Sequence, residues 1–234
     1  MELFRSILKS WDIDINGRQL DQFDQYYRLL IDRNSKVNLT SITDINEVYV
    51  KHFADSIALL RSTDLNGISV IDVGSGAGFP GIPLAVMCPD CDIVLVDSLM
   101  KRIDFLNDVI NELGLSKVRC VHGRVEDLGH DQSYRERFDL AVSRAVAKLD
   151  TLCEYCLPFV KTGGMFISYK SGNIEAEIID AGNSLTCIGG KISKTEFFEI
   201  PETDLKRSFI YISKTNNTDI RYPRRAGLPS KKPL

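Results

Sequence analysis

Apolar side chains over residues 1–66 recur at the spacing of α-helices. The clearest set is Leu20, Phe23, Tyr27, Leu30 and Ile31, whose positions repeat every three or four residues. Such a stripe predicts an amphipathic helix with one face against a core.

A second helix is predicted from Asp44 through Leu60. Asp44 is followed three residues later by Glu47, which is the spacing of an N-terminal capping box. A polar connector, residues 34–40, separates the two helices. Residues 1–66 are therefore expected to form an N-terminal helical extension.

From Ile68 the pattern changes to strand, turn and helix in repetition. Short apolar runs predict strands at 68–73, 93–96, 118–121, 138–142 and 165–169. Helices are predicted between them at 80–88, 98–113 and 147–157. Continuous apolar strands are typical of a parallel sheet covered on both faces, and their alternation with helices indicates βαβ units.

The alternation ends after a helix predicted over 173–185. Two extended runs follow, at 191–200 and 207–213, and the six residues between them are too few for a crossover helix. These runs are expected to pair antiparallel. The predicted fold class is α/β: a doubly wound, mostly parallel, seven-stranded Rossmann-like sheet with a terminal antiparallel hairpin. Its core is expected over 67–213, with a basic tail at 214–234.

Composition fits one globular unit of 234 residues, with 44% hydrophobic and 26% charged residues. The N-terminus has no apolar stretch suited to a signal peptide, and no run approaches the roughly 18 apolar residues of a membrane span. We therefore expect a cytoplasmic protein without membrane contact. The net charge of −3 excludes a generally basic nucleic-acid binder, so any such contact must come from local patches.

Six cysteines include two C-x-x-C pairs, Cys88–Cys91 and Cys153–Cys156. Two C-x-x-C pairs can together bind zinc, but these two pairs lie much farther apart in the sequence than the pairs of a zinc ribbon do. The second pair falls in a helical apolar pattern, which favours buried free thiols. No metal site is predicted, and disulfides are not expected in a cytosolic chain.

A glycine-rich turn follows the first predicted strand, where ligands bind in open α/β sheets. The glycines permit positive φ and close approach of a ligand to the backbone. Gly76, Gly78 and Gly81 also match the dinucleotide fingerprint. Pro80 and Pro83, however, remove two N–H donors that a pyrophosphate would use. A ligand without phosphate fits better, and S-adenosylmethionine is such a ligand.

Further candidates follow the other strands at the same edge. Asp97 ends the second strand, where an acid accepts hydrogen bonds from ribose; the alternative is a solvated surface acid. The backbone N–H groups of Val125 and Glu126, after the third strand, are placed to contact adenine; the alternative is an ordinary acidic helix start. Arg144 follows the fourth strand and is expected to bind a ligand anion or base edge, or else to form a surface salt bridge.

The C-terminal residues from 214 carry six cations against one acid, Asp219. Tyr222 and Pro223 lie within this run, where they can stack and stiffen it. RNA loops are recognised by aromatic, arginine and phosphate contacts together, so this tail is interpreted as RNA-binding. The alternative is a flexible solvated terminus. The candidate RNA-binding residues are Arg221, Arg224 and Arg225, with Lys101 and Arg102 as further candidates.

These segments together resemble the RsmG family, also called the glucose-inhibited division protein B family, of bacterial small-subunit rRNA guanine-N7 methyltransferases. The resemblance covers nearly the whole chain and is carried by 36–40, 51–56, 72–83, 97–102, 123–126, 143–147 and 221–234. It implies a class I methyltransferase fold, S-adenosylmethionine as cofactor, and N7 methylation of nucleotide 527 in the 530 loop of 16S rRNA. The implied partner is 16S rRNA, a 30S subunit or an assembly intermediate, with no required protein partner.

The resemblance also implies cofactor contacts, at Gly74, Phe79, Val125, Glu126 and Arg144. The glycine turn and the second strand end add Gly76 and Asp97 to this set. One departure is Lys170-Ser171-Gly172, where relatives often show Leu-Lys-Gly. The role of Lys170 is therefore left open.

Guanine N7 carries a lone pair and no proton, so direct in-line transfer needs positioning rather than a base. The three histidines, His52, His122 and His130, suggest no nucleophile–base arrangement. No catalytic residue is assigned, and Arg144 is the one candidate. His52 is interpreted either as functional or as a polar residue held between the N-terminal helices and the core.

Two other functions fit parts of the pattern. An NAD-dependent dehydrogenase would share the sheet and Asp97, but this chain lacks the phosphate cradle that NAD requires, and a dehydrogenase would not need the basic tail. A non-catalytic RNA-binding protein could keep the fold as a vestige. Binding of S-adenosylmethionine, of NAD or of neither separates the three hypotheses.

Overall fold

The computed structural model describes residues 1–172 and 174–234. A seven-stranded sheet lies at its centre, in the order β3-β2-β1-β4-β5-β7-β6. The first five strands along the chain run parallel, and β7 is antiparallel to both β5 and β6. This confirms the predicted sheet and its terminal hairpin. The strands are β1 Ser69–Val73, β2 Asp92–Asp97, β3 Val118–His122, β4 Phe138–Arg144, β5 Val160–Ser171, β6 Gly190–Glu199 and β7 Lys206–Lys214.

Helices cover both faces of the sheet. The helical segments are α1 Glu2–Ser10, α2 Gly17–Val37, α3 Ile45–Val48, a π-helical turn Tyr49–Ala54, α4 Asp55–Ile57, a 3₁₀ turn Ala58–Arg61, α5 Gly81–Met87, α6 Met100–Leu113, α7 Val125–Leu128, α8 Leu149–Cys156, a 3₁₀ turn Leu157–Phe159, α9 Glu175–Asp180, α10 Gly182–Ile188 and α11 Leu228–Lys231. None of the helices in the described ranges is long and apolar enough to cross a membrane.

The core has two layers because alternate residues of each strand point to opposite faces. Val70 and Leu95 join the cluster formed with the N-terminal helices, α5 and α6. Ile71 and Val94, their neighbours in sequence, join the cluster formed with α8 and α10. The strands are therefore apolar on both faces, as their continuous apolar runs predict.

The N-terminal helices pack against the glycine turn. Tyr26 and Phe53 stack with their ring centroids 5.3 Å apart, and Tyr26 also packs on Phe79. The Tyr26 hydroxyl donates a hydrogen bond to the carbonyl oxygen of Ala77 within the turn. Asp44 caps α3 by accepting from the Glu47 N–H at 3.0 Å, which is one half of the predicted capping box. These helices thus position one side of the site.

Three details differ from the sequence prediction. The helix expected over 173–185 is two short helices, α9 and α10, interrupted at Ala181, and Asn173 lies outside the described residues. The weak helix propensity of Gly182 explains the interruption. Two short helices are added: α7 begins at Val125, where a helix start was the alternative interpretation, and α11 was not predicted because four residues are too few to show a helical period.

Candidate functional site

A cavity of about 510 Å³ lies at the carboxyl ends of the parallel strands. This volume is typical of a small-molecule site. The lining includes all of the residues predicted to bind the cofactor, namely Gly74, Gly76, Phe79, Asp97, Val125, Glu126 and Arg144. They come from four different segments, which the parallel sheet brings to one edge.

The glycine turn forms one wall with its backbone. Gly74 has φ +76° and Gly76 has φ +61°, conformations that disfavour any side chain. A Cβ at Gly74 would lie 2.5 Å from a methyl carbon of Val146. A Cβ at Gly76 would have only the Gly74 carbonyl oxygen near it, at 3.9 Å, so it would stand in the cavity itself. The turn therefore leaves room for a ligand directly against the main chain.

Asp97 fixes the shape of this wall. Its side chain is buried and accepts hydrogen bonds from the N–H groups of Gly76 and Leu99, each at 2.9 Å. Arg102 lies 3.2 Å from the same carboxylate. Asp97 is therefore held rigidly where the cavity meets the end of β2.

A second acid, Asp72, lies beneath the turn. It is fully buried, and one carboxylate oxygen accepts from the Gly81 N–H at 2.9 Å. The other oxygen has no hydrogen-bond partner among the described residues. Burial raises the pKa of Asp72 to about 7. Asp72 was not predicted as a site residue, although an acid inside an apolar strand is unusual enough to indicate one.

Arg144 and His52 form the opposite wall. The Arg144 guanidinium contacts Asp55 at 2.7 Å and lies over the Phe79 ring, 5.1 Å from its centroid. His52 stacks on Phe79 with centroids 4.4 Å apart, and its Nε2 is 2.8 Å from the Thr40 hydroxyl. Burial and the nearby Arg144 charge lower the pKa of His52 to about 3. His52 therefore packs between the N-terminal helices and the core, lines the cavity, and is neutral at pH 7.

A family sequence profile described as rRNA small subunit methyltransferase G matches residues 19–206. The chain belongs to this family. A ribosomal RNA small subunit methyltransferase G from Lachnoclostridium phytofermentans is 49% identical over 228 residues, covering 97% of this chain and 94% of that protein. The enzyme of the same name from Lactobacillus johnsonii is 45% identical over 236 residues, covering 100% and 99%.

Solved structures confirm the methyltransferase fold of this family member. A methyltransferase from Bacillus halodurans superposes with a TM-score of 0.55 at 15% identity, covering 70% of this chain and 100% of that one. TYW2 from M. jannaschii, solved in complex with AdoMet, gives a TM-score of 0.54 at 16% identity, covering 68% and 74%. The protein is thus an enzyme of the rRNA small subunit methyltransferase G family, and the dehydrogenase and vestigial-fold hypotheses are not supported.

The C-terminal segment of this methyltransferase forms part of the cavity wall. Gly227 and Ser230 line the cavity, beside Tyr155 of α8. The buried Glu126 carboxylate accepts from the Gly227 N–H at 2.8 Å. Sequence reasoning assigned Glu126 through its backbone alone and missed these contacts, because they join residues 101 positions apart.

The tail cations of the methyltransferase are placed in different environments. Arg221 and Arg225 are exposed. Arg224 instead pairs with the buried Glu154, at 2.7 Å. Lys214 is buried at the end of β7 and donates to the Leu157 carbonyl oxygen at 2.7 Å. Burial lowers the pKa of Lys214 to about 8. The other two RNA candidates, Lys101 and Arg102, lie at the start of α6, exposed and half-buried respectively.

The cysteines are buried or half-buried. Cys153 and Cys156 are fully buried within α8, as the apolar pattern indicated, and all six cysteines are free thiols. Lys170, whose role the sequence left open, pairs with Glu177 at 2.6 Å. That pair lines a second cavity rather than the first.

Proposed function

We propose that the protein transfers the methyl group of S-adenosylmethionine to N7 of a guanine in the 530 loop of 16S rRNA, at nucleotide 527 in the usual rRNA numbering. The observation that carries this proposal is the first cavity and its wall at Gly76. This wall has no side chain, and the space that a Cβ at Gly76 would take is open to a ligand. Relatives named ribosomal RNA small subunit methyltransferase G support the rRNA substrate. The AdoMet complex of TYW2, which shares the fold, supports the cofactor.

The residues of the first cavity fit this cofactor. The backbone of Gly74 and Gly76 offers close approach to its amino-acid end, and Asp97 offers acceptors for the ribose hydroxyls. Val125 and Glu126 begin α7, where N–H groups lack helical partners and can contact adenine. When bound, S-adenosylmethionine supplies an electrophilic methyl group.

The protein's own groups act by positioning. Guanine N7 attacks with its lone pair and loses no proton, so a side-chain base is unnecessary. His52, with its pKa of about 3, is too weak a base to be designed for proton abstraction and instead packs flat on Phe79. Arg144 is fixed by Asp55 at the cavity mouth, where it can orient the base. The product purine is cationic, so nearby carboxylates favour it.

RNA contact is proposed for Arg221 and Arg225, with Lys101 and Arg102 beside the cavity. Arg221 and Arg225 are exposed, as phosphate contacts require. The substrate is free rRNA, the 30S subunit or an assembly intermediate, which places the protein in the cytoplasm. The enzyme is proposed to act without a further protein partner.

Methyl groups on 16S rRNA can be mapped by mass spectrometry in cells with and without the gene. We expect a 7-methylguanine in the 530 loop that is absent without the gene and returns with the wild-type copy. An unchanged methylation pattern, or loss of a methyl group at a different nucleotide, would overturn the proposal. Purified protein with S-adenosylmethionine then repeats the test on naked rRNA and on 30S particles.

A further inference from the structure

A second cavity of about 410 Å³ adjoins the first. His52, Arg144 and Ala145 line both cavities. Ala145 has φ +58°, an uncommon conformation for a residue with a side chain. Because the two cavities share these residues, a ligand in the second cavity lies directly beside the first, as an acceptor must lie beside a methyl donor.

Lys170 and Glu177 line the second cavity and give it a hydrogen-bond donor and an acceptor in fixed positions. Lys170 Nζ lies 2.6 Å from a Glu177 carboxylate oxygen and donates to the Ala147 carbonyl oxygen at 3.0 Å. The same Glu177 oxygen accepts from the Leu149 N–H at 3.0 Å. These contacts hold an ammonium and a carboxylate side by side before any ligand arrives.

The remaining walls suit a base attached to a phosphate. Tyr169 and Phe209 contribute buried aromatic rings, 4.7 Å apart edge to face. Asp55 bridges Arg144 and Arg207, at 2.7 Å from each. The ionisable groups lining this cavity comprise more cations than carboxylates: Lys51, Arg144, Lys170 and Arg207 against Asp55 and Glu177. An aromatic lining and surplus positive charge are features of a pocket for an extruded nucleotide.

We propose that the second cavity binds the acceptor guanosine nucleotide and that Lys170 and Glu177 read its Watson–Crick edge. This inference rests on the proposed function. N7 must remain unpaired and face the first cavity, so recognition has to use the other edge of the base. There the ammonium donates to O6, and the carboxylate accepts from N1–H and the 2-amino group. Adenine presents an amino group and a bare N1 at these positions, which repel the same pair.

The test compares 16S rRNA with guanine or inosine at the target nucleotide, introduced by splint ligation and assayed naked and in reconstituted 30S particles. Inosine keeps N7, O6 and N1–H but lacks the 2-amino group. We expect wild-type kcat/KM to favour guanine roughly tenfold, the value of one hydrogen bond to a charged group. In Glu177→Ala the ratio of kcat/KM on guanine to kcat/KM on inosine should fall to about one. Glu177→Gln should give a ratio between that of Glu177→Ala and that of the wild type.

A purely structural role for Glu177 would slow both substrates equally and leave their ratio unchanged. Asp180→Asn, an exposed change on the same short helix α9, serves as the matched control and should keep the wild-type ratio. Affinity for S-adenosylmethionine should be the same in all variants, because Glu177 does not line the first cavity.

The outcomes separate the two proposals. Equal wild-type rates on guanine and inosine, or a full preference in Glu177→Ala, would overturn the recognition role while the guanine-N7 activity stands. A wild-type enzyme that methylates N7 on neither RNA overturns both. The comparison of wild-type rates on guanine and inosine needs no variant, so it tests the recognition role even if Glu177→Ala fails to fold.

Discussion

Arg224 and Glu154 form a two-point ion pair that fastens the C-terminal segment to α8. Arg224 donates from Nε at 2.9 Å and from its terminal nitrogen at 2.7 Å, and its backbone N–H reaches the same carboxylate at 2.6 Å. The Glu154 side chain is 1% exposed. Gly227 and Ser230, a few residues further along this segment, line the first cavity, so an arginine predicted to contact RNA anchors a segment of the cavity wall.

Arg224→Ala should therefore impair folding and cofactor binding together. It leaves the buried Glu154 carboxylate with the backbone N–H of residue 224 but without its cation, which costs about 3 kcal/mol of unfolding free energy. This is the low end for a buried pair, because the backbone bond remains and the Arg224 side chain is 19% exposed. Urea unfolding and calorimetry with S-adenosylmethionine measure the two effects. The double variant with Glu154→Gln should recover part of the stability, since the uncompensated charge is gone. Parent-like stability in Arg224→Ala would show that the pair contributes little.

Arg221→Ala combined with Arg225→Ala should weaken RNA binding and leave cofactor affinity unchanged. Each lost phosphate contact should reduce the salt slope of binding by about 0.7–0.9. The control replaces Lys117 and Lys161, two exposed lysines at the opposite edge of the sheet, with alanine. A salt series of RNA-binding curves is the measurement. If the slope matches the parent and the control, the RNA surface lies elsewhere, first around Lys101 and Arg102.

Asp97→Ala should reduce affinity for S-adenosylmethionine by about 1–3 kcal/mol, through loss of the ribose acceptor and of the bond that shapes the Gly76 wall. Gly74→Val should do the same, because its Cβ would collide with Val146. Asp92→Ala, at the exposed start of the same strand β2, is the control. The measurement is calorimetric titration with S-adenosylmethionine, on variants whose circular dichroism spectra match that of the wild type. Unchanged affinity in both test variants would remove this cavity as the cofactor site.

The methyl-transfer rate should not depend on protonation of His52 between pH 5.5 and 8, because burial and Arg144 lower its pKa to about 3. His52→Ala should retain measurable activity, as should the corresponding changes at His122 and His130. A pH profile of kcat/KM for each variant is the measurement. An inflection near the ordinary histidine pKa of roughly 6.5 that vanishes only in the His52 variant would contradict the base-free account. An inflection near 7 that persists points to Asp72 instead.

Asp72 should make unfolding free energy fall as pH rises from about 4 to 7. Its pKa is about 7 in the folded protein against 3.8 unfolded, so the folded state holds the extra proton in this window. The associated stability is complete below pH 3.8 and is lost by about pH 7, at up to roughly 1.4 kcal/mol per pH unit. Asp72→Asn should lack this component, so its stability relative to wild type should rise between pH 4 and 7 in urea titrations and level off above that range. Parallel pH dependence in the two proteins would show an ordinary pKa for Asp72.

Local sequence patterns were sufficient to predict the sheet and many of the residues that line the first cavity. Continuous apolar strands alternating with helices specify a parallel sheet, and parallel strands bring their carboxyl ends to one edge. Residues at those ends, such as Gly74, Asp97 and Arg144, were therefore predictable as neighbours without knowledge of any contact. The short connection at 201–206 was likewise enough to predict the antiparallel hairpin.

The partners of the charged residues were decided only by tertiary structure. The sequence determined that Arg144 and Arg224 are cations near a sheet edge and in a basic tail. It did not determine that one meets Asp55, 89 positions away, or that the other meets Glu154, 70 positions away. The physical reason is that strand and helix periods follow from neighbouring residues, whereas ion pairs and cavity walls depend on how distant segments pack. The tail forms a wall of the first cavity because buried carboxylates on α7 and α8 need partners, and the folded chain brings Gly227 and Arg224 to them.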